Sequence, residues 1–209
     1  MQITEIFFSI QGEGIHTGLP SIFIRTTGCN LRCTYCDTTY AYQNGKEMSM
    51  NQIVSEIEKY HCNYICITGG EPLLQHETFQ LINILQEKEY QISLETNGSK
   101  PIPLHINRKN LMISMDLKLP SSQMHEHMIL ENIEKLSEND QLKCVIQNNE
   151  DYLYAKKMVK NFLPKCHIIF QPVWGSDMEK LAEWILNDQL SVRVGVQLHK
   201  LLWGEKTQR

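Results

Sequence analysis

Cys29, Cys33 and Cys36 lie within eight residues on one stretch, Gly28-Cys29-Asn30-Leu31-Arg32-Cys33-Thr34-Tyr35-Cys36-Asp37-Thr38. Thiolates at spacings of four and three can hold three corners of a cuboidal iron–sulfur cluster. One iron then has no protein ligand, and an exogenous molecule can chelate it, much as a catalytic zinc keeps one position open. The alternative is a zinc site completed by a fourth ligand such as His16 or Cys62. Gly28 and the aromatic Tyr35 suit a tight, partly dry loop around a cofactor. The remaining cysteines, Cys62, Cys66, Cys144 and Cys166, are spread out and read as core residues.

Other polar groups gather at the ends of apolar runs. In Thr68-Gly69-Gly70-Glu71-Pro72 the glycines let backbone approach a ligand, and Glu71 offers an acceptor for an ammonium. The bland alternative is a turn that opens a helix. Gln11-Gly12-Glu13-Gly14 sets a carboxylate between two glycines, and Gln11 and Glu13 suit a guanidine-like edge. Arg25 ends an apolar run, so it needs either a protein partner or an anionic ligand. Glu95-Thr96-Asn97-Gly98, then Ser114, Asp116 and Lys118, then Gln171, Pro172, Val173 and Trp174 end further runs. Thr38 alone reads as a capping hydroxyl. His125 and His127, which flank Glu126, read as solvated surface.

The elements that must position these groups alternate. Residues 3–8, 21–25, 64–68, 92–95, 111–115, 142–146, 167–170 and 192–196 read as short strands. Helical patterns fall at 50–59, with Ser49 and Gln52 able to form a capping box, and at 78–88, 126–136, 151–161 and 177–186. Strand–helix–strand repetition implies mostly parallel strands joined by crossovers, with the site at the strands' C-terminal ends. A complete eight-fold barrel takes about 250 residues. The 209 residues therefore predict an α/β fold with an incomplete (partial) β/α barrel, as one domain over 1–209. Hydrophobic residues at 42% and charged residues at 21% argue for a globular chain over a disordered one. A net charge of −4 argues against a nucleic-acid binder, and no apolar run reaches the roughly 20 residues that span a bilayer. No basic residue precedes Arg25, so no signal peptide is read, and the expectation is a soluble cytoplasmic protein with reduced thiols.

Cys29-x3-Cys33-x2-Cys36, with an aromatic before the last cysteine, resembles the signature of radical S-adenosylmethionine (SAM) enzymes. Thr68-Gly69-Gly70-Glu71-Pro72 resembles the Gly-Gly-Glu motif of that superfamily. The narrower resemblance is to the 7-carboxy-7-deazaguanine synthase family. It rests on Phe8-Ser9-Ile10-Gln11-Gly12-Glu13-Gly14, Phe23-Ile24-Arg25, Cys36-Asp37-Thr38 and Leu117-Lys118-Leu119-Pro120-Ser121-Ser122. Leu142-Lys143-Cys144-Val145-Ile146, Phe170-Gln171-Pro172 and Gln197-Leu198-His199-Lys200 complete it. Residues 114–118, Ser-Met-Asp-Leu-Lys, depart from the family's commoner Ser-Pro-Lys.

The resemblance implies a 4Fe–4S cluster on Cys29, Cys33 and Cys36, with SAM on its open iron. One electron then gives methionine and a 5′-deoxyadenosyl radical, which takes a hydrogen from 6-carboxy-5,6,7,8-tetrahydropterin. Ring contraction and loss of ammonia yield 7-carboxy-7-deazaguanine for queuosine and other 7-deazapurines, and SAM is regenerated. It further implies SAM contacts at Gly69, Gly70, Glu71, Thr96, Ser114, Asp116, Lys118, Gln171, Pro172, Val173 and Trp174. Substrate contacts are implied at Ile10, Gln11, Gly12, Glu13, Arg25, Thr68 and His199, and Mg²⁺ at Thr38. A homodimer and a flavodoxin- or ferredoxin-type electron donor are implied as partners. Two rival readings are a glycyl-radical activase, which shares the cysteine loop, and a zinc-binding interaction module.

Overall fold

A computed structural model describes residues 1–204 and 206. The apolar, β-branched runs form strands β1 (Gln2–Ile10), β2 (Pro20–Thr26), β3 (Lys46–Glu47), β4 (Tyr64–Gly69), β5 (Gln91–Thr96), β6 (Leu111–Leu117), β7 (Gln141–Ile146), β8 (His167–Pro172) and β9 (Arg193–Val194). They make one sheet in the order β3-β1-β2-β4-β5-β6-β7-β8-β9. β1 runs antiparallel to β2 and β3, and every neighbouring pair from β2 to β9 is parallel. β3 and β9 are free edges, so the sheet is a partial β/α barrel.

Helices α1 (Met50–Ile57), α2 (Thr78–Glu87), α3 (Asn149–Phe162) and α4 (Met178–Asn187) cover the outer face. Ser49 and Gln52 form the expected capping box on α1, while Asn148 and Asp177 cap α3 and α4. The outward side chains of β2, β4 and β5, such as Ile22, Ile24, Ile65, Ile67 and Leu94, bury with Ile53 and Ile57 of α1 and Leu81 and Leu85 of α2. Ile113, Met115, Leu142, Cys144 and Phe170 do the same against α3 and α4. Side chains alternate across a strand, so the residues between these turn inward.

Residues 126–136 depart from the expected helix and form two 3₁₀ turns, His125–His127 and Leu130–Lys135. Neither has a side-chain N-cap. The fully buried Asn132 instead donates to the carbonyls of Gly98 and Lys100 and accepts from the Ile102 amide, and the Ile129 amide bonds Gly98. Long-range bonds to the loop after β5 thus override the local period, although Ile133 and Leu136 still reach the core. The pairs at β3 and a C-terminal helix α5 (Leu198–Trp203) carry no clear periodic signal in the sequence. Among the described residues no helix is long and apolar enough to cross a membrane.

Candidate active site

The inward face of the partial barrel encloses a cavity of about 710 Å³, the size of a small-molecule site. Its wall is polar because the inward positions are polar: Arg25 on β2, Thr68 on β4, Glu95 on β5, Asp116 on β6, Lys143 on β7 and Gln171 on β8. Phe7, Phe23 and Cys66 supply a small apolar patch, with the two phenyl rings stacked at 5.0 Å.

Cys29, Cys33 and Cys36 line this cavity on the loop that leaves the C-terminal end of β2. Two donors point at the Cys29 sulfur, the Leu31 amide at 3.4 Å and Asn97 Nδ2 at 3.7 Å, as suits a thiolate ligand. Burial pushes the metal-free Cys29 and Cys33 thiols up, so loading a metal must displace protons. The loop is braced by Gly69 and Gly70. A Cβ on Gly70 would sit 2.0 Å from the Gly28 carbonyl oxygen, so only glycine admits this approach. The Gly70 amide bonds the Thr26 carbonyl and the Glu71 amide bonds the Gly28 carbonyl. Glu71 is completely buried. It accepts from Thr96 Oγ1 at 2.9 Å, the Asn97 amide at 2.6 Å and the Leu73 amide at 2.9 Å. Its carboxyl therefore ties the Gly-Gly turn to the end of β5 and lies off the cavity wall.

The loop carrying Gln11, Gly12 and Glu13 enters from the opposite end of the strands. Ile10 pairs with Pro20 at the start of β2, and the Ile15 amide bonds Gln141 Oε1 at the start of β7. Glu13 Oε2 accepts from Lys143 Nζ at 2.5 Å, and Oε1 accepts from Gln197 Nε2 at 2.8 Å. Burial alone would raise the Glu13 pKa, but Lys143, helped by Gln197 and His199, outweighs it and holds the carboxyl at about 2. Lys143 also lies 3.7 Å from Asp116 and 3.9 Å from Glu95. Glu95 accepts from Ser114 Oγ at 2.7 Å, and burial raises its pKa. Asp116 in turn pairs with Lys118 at 3.0 Å.

The C-terminal segment ties the loop after β1 to the cysteine loop. The Leu198 amide bonds the Gly12 carbonyl at 2.9 Å, His199 packs where a Gly12 side chain would be, and Lys200 pairs with Asp37 at 3.0 Å. Asp37 also accepts from Thr38 Oγ1, so a carboxylate and a hydroxyl stand side by side on the cavity wall. Arg25 donates Nε to Glu5 at 2.7 Å, and Tyr40 donates to the same oxygen. Among the described residues its terminal nitrogens make no further hydrogen bond.

The cavity thus gathers Ile10, Gln11, Gly12, Glu13, Arg25, Thr38, Thr68, Gly69, Gly70, Thr96, Asp116, Lys118, Gln171, Val173, Trp174 and His199 with the three cysteines. Glu71, Ser114 and Pro172 are buried behind its wall. Residue-by-residue reading passed over Lys143, Gln197 and Asp37. A lysine flanked by Leu142 and Cys144 in an apolar strand was the available signal, since a buried ammonium demands partners. The zinc alternative loses both of its named candidates for a fourth ligand. His16 packs against Tyr64 and Cys62 donates to the Pro20 carbonyl, both at the far end of the strands from the cysteine loop.

Residues 23–147 match the Radical SAM superfamily. The 7-carboxy-7-deazaguanine synthase of Chlorobaculum tepidum is 41% identical over 210 residues, covering 98% of this chain and 94% of its own. That of Thermoplasma acidophilum is 36% identical over 205 residues, 98% of each chain. The chain belongs to the 7-carboxy-7-deazaguanine synthase family. Membership sets aside the glycyl-radical activase alternative. The crystal structure of Escherichia coli QueE shares the fold, with a TM-score of 0.80 at 22% identity over 95% of this chain and 94% of that one.

A radical SAM family member carries a 4Fe–4S cluster and SAM, and the residues present fit both. Three thiols on one loop face the cavity, with hydrogen-bond donors aimed at one sulfur, while the fourth thiol that lines it, Cys66, sits apart on β4 among Phe7 and Phe23. Gln171 lines the same cavity, and among the described residues its buried Oε1 has no hydrogen-bond partner, which suits a polar ligand.

Proposed function

We propose that this chain, acting as one radical SAM domain, converts 6-carboxy-5,6,7,8-tetrahydropterin to 7-carboxy-7-deazaguanine with ring contraction and loss of ammonia. The observation that carries the reading is the pairing, in the cavity that holds the three cysteines, of an ionised Glu13 with an Arg25 whose terminal nitrogens make no hydrogen bond among the described residues. A carboxylated pterin needs that complement: an acceptor for its amino-pyrimidinone N–H groups and a fork for its carboxylate.

When bound, the cluster and SAM supply the one-electron chemistry that removes a hydrogen atom from substrate. Cys29, Cys33 and Cys36 hold the cluster. Gly69, Gly70, Thr96, Asp116, Lys118, Gln171, Val173 and Trp174 hold SAM, while Glu71, Ser114 and Pro172 support that wall from behind. Gln11, Glu13, Arg25, Thr68 and His199 bind the pterin, with Ile10 and Gly12 shaping its pocket. Thr38, with Asp37 beside it, offers hard oxygen donors to Mg²⁺, which would fix the substrate carboxylate. The product suits queuosine and other 7-deazapurine biosynthesis in the cytoplasm. The enzyme works as a homodimer with a flavodoxin- or ferredoxin-type donor.

Anaerobic reconstitution with iron and sulfide, then incubation with SAM, Mg²⁺, a reductant and the carboxytetrahydropterin, tests this. 7-Carboxy-7-deazaguanine and released ammonia are expected, with SAM not consumed. A loaded enzyme that cleaves SAM but leaves the pterin intact sinks the substrate assignment. Native activity indifferent to chelators would sink the Mg²⁺ role.

A further inference from the structure

Lys143 stands in the middle of β7 with its side chain 8% exposed and three carboxylates around its ammonium. Two of those carboxylates have other partners: Asp116 has Lys118 and Glu95 has the Ser114 hydroxyl. Glu13 has Lys143 and, on its other oxygen, the neutral amide of Gln197. A carboxylate has about four acceptor sites. Among the described residues one protein donor sits on each oxygen, so both oxygens keep acceptor capacity toward the cavity for the N–H donors of a ligand.

We infer that Lys143 is a positioning residue that holds Glu13 ionised and oriented toward the amino-pyrimidinone edge of the substrate. The inference rests on the pterin reading above. Glu13 is bonded by Lys143 from β7 and Gln197 from the C-terminal segment and feels the charges of His199, of Glu95 from β5 and of Asp37 from the cysteine loop, while Asp116 from β6 shares its Lys143. Three of these are carboxylates, which together with burial favour protonation of Glu13 once the Lys143 charge is removed. A protonated Glu13 would turn an O–H toward the donor edge and lose the match.

The test is fluorescence anisotropy of 6-carboxypterin, an unreactive fluorescent analogue, on cluster-loaded enzyme with SAM from pH 4 to 8, beside the deaminated 6-carboxylumazine. Native enzyme binds the pterin over the lumazine with little pH dependence. Lys143→Gln weakens pterin binding by about thirtyfold or more, erases the preference over lumazine and brings in an acid limb above pH 4.5. Lys143→Arg keeps the charge and restores the flat profile. An unchanged affinity and profile in Lys143→Gln overturns the inference, as does an acid limb in Lys143→Arg as high as that of the glutamine variant. Should Lys143→Gln fail to retain its cluster, Lys143→Met/Glu13→Gln is compared with Glu13→Gln alone. Affinities equal within twofold support Lys143 acting through Glu13, and a larger further loss overturns it. Native enzyme that binds no pterin at all defeats the substrate reading instead.

Discussion

Gly69-Gly70-Glu71 and Gln11-Gly12-Glu13-Gly14 have nearly the same composition and opposite physics. Glu71 has a protein donor on each oxygen, three in all, and none of its surface reaches solvent. Glu13 is supported from behind by Lys143 and Gln197 and faces a cavity in front. Burial raises the Glu71 pKa, whereas the Lys143 charge overcomes burial and lowers that of Glu13. The glycines differ too: Gly70 admits the backbone of the cysteine loop, and Gly12 admits the His199 ring. One motif is a brace for the cluster loop and the other is a wall of the pocket. Three protein donors with complete burial mark the structural carboxylate, and two donors behind with a cavity in front mark the one kept open for a ligand.

Breaking the brace should have the largest effect. In Gly70→Ala the new methyl meets the Gly28 carbonyl, a backbone atom that cannot swing aside, so the cysteine loop must move. Iron and acid-labile sulfide after reconstitution should fall to the level of Cys29→Ala, Cys33→Ala or Cys36→Ala, while Cys62→Ala loads normally. Normal loading of Gly70→Ala would show that the glycines face ligand alone. Next comes Arg25, bound to Glu5 through Nε and lying over the Phe7 and Tyr40 rings, with no hydrogen bond from its terminal nitrogens among the described residues, which places it with Glu13. Arg25→Lys cannot make a bidentate bond to a carboxylate and should lower pterin turnover by about 30- to several-thousand-fold. Its iron content and uncoupled 5′-deoxyadenosine release should persist. Poor folding and a lost cluster would instead make the Glu5 pair structural.

Much of this was legible in the sequence because it is local. The strands follow from β-branched runs, the cap of α1 from Ser49 and Gln52, and the cysteine loop from spacing alone. What escaped depends on distant partners. Glu71 looks like a ligand acceptor until Thr96 and Asn97, some 25 residues on, are seen to fill it. Lys143 acquires meaning from Glu13, 130 residues away, and Gln197 from the same carboxylate 184 residues away. Residues 126–136 keep a helical stripe yet follow Asn132 into bonds with the loop after β5. Periodicity reports which face is buried; it does not report which backbone partner wins.

A smaller effect sharpens the contrast at the brace. Glu71→Gln places an NH₂ against the Asn97 or Leu73 amide, donor facing donor in a buried site. Urea unfolding should show a loss of about 1–3 kcal/mol. The pterin concentration giving half-maximal rate should stay within about twofold for the cluster-loaded fraction. A raised requirement for pterin with native stability would move Glu71 to the ligand side of the comparison.

The finest contrast lies in how stability depends on pH, where the two glutamates should differ in sign. Glu13 is lowered in the fold from the ordinary 4.5 to about 2. A lowered group contributes stability above its unfolded value, and that contribution drains away as pH falls from 4.5 toward 2. The stability gap between native protein and Glu13→Gln should therefore widen as pH rises through 3 to 4.5 and stay constant above. Glu71 is raised in the fold, so its contribution is complete below 4.5 and declines as pH climbs toward its folded value. The gap between native protein and Glu71→Gln should narrow over that range. No single group can give a slope above about 1.4 kcal/mol per pH unit, so parallel urea titrations of both variants on one buffer series are needed. Lys143 keeps Asp116 and Glu95 within 3.9 Å in Glu13→Gln, which limits the damage and keeps the variant measurable. Slopes of the same sign would mean that Glu71 and Glu13 are held by the same physics, and the distinction between brace and wall would fail.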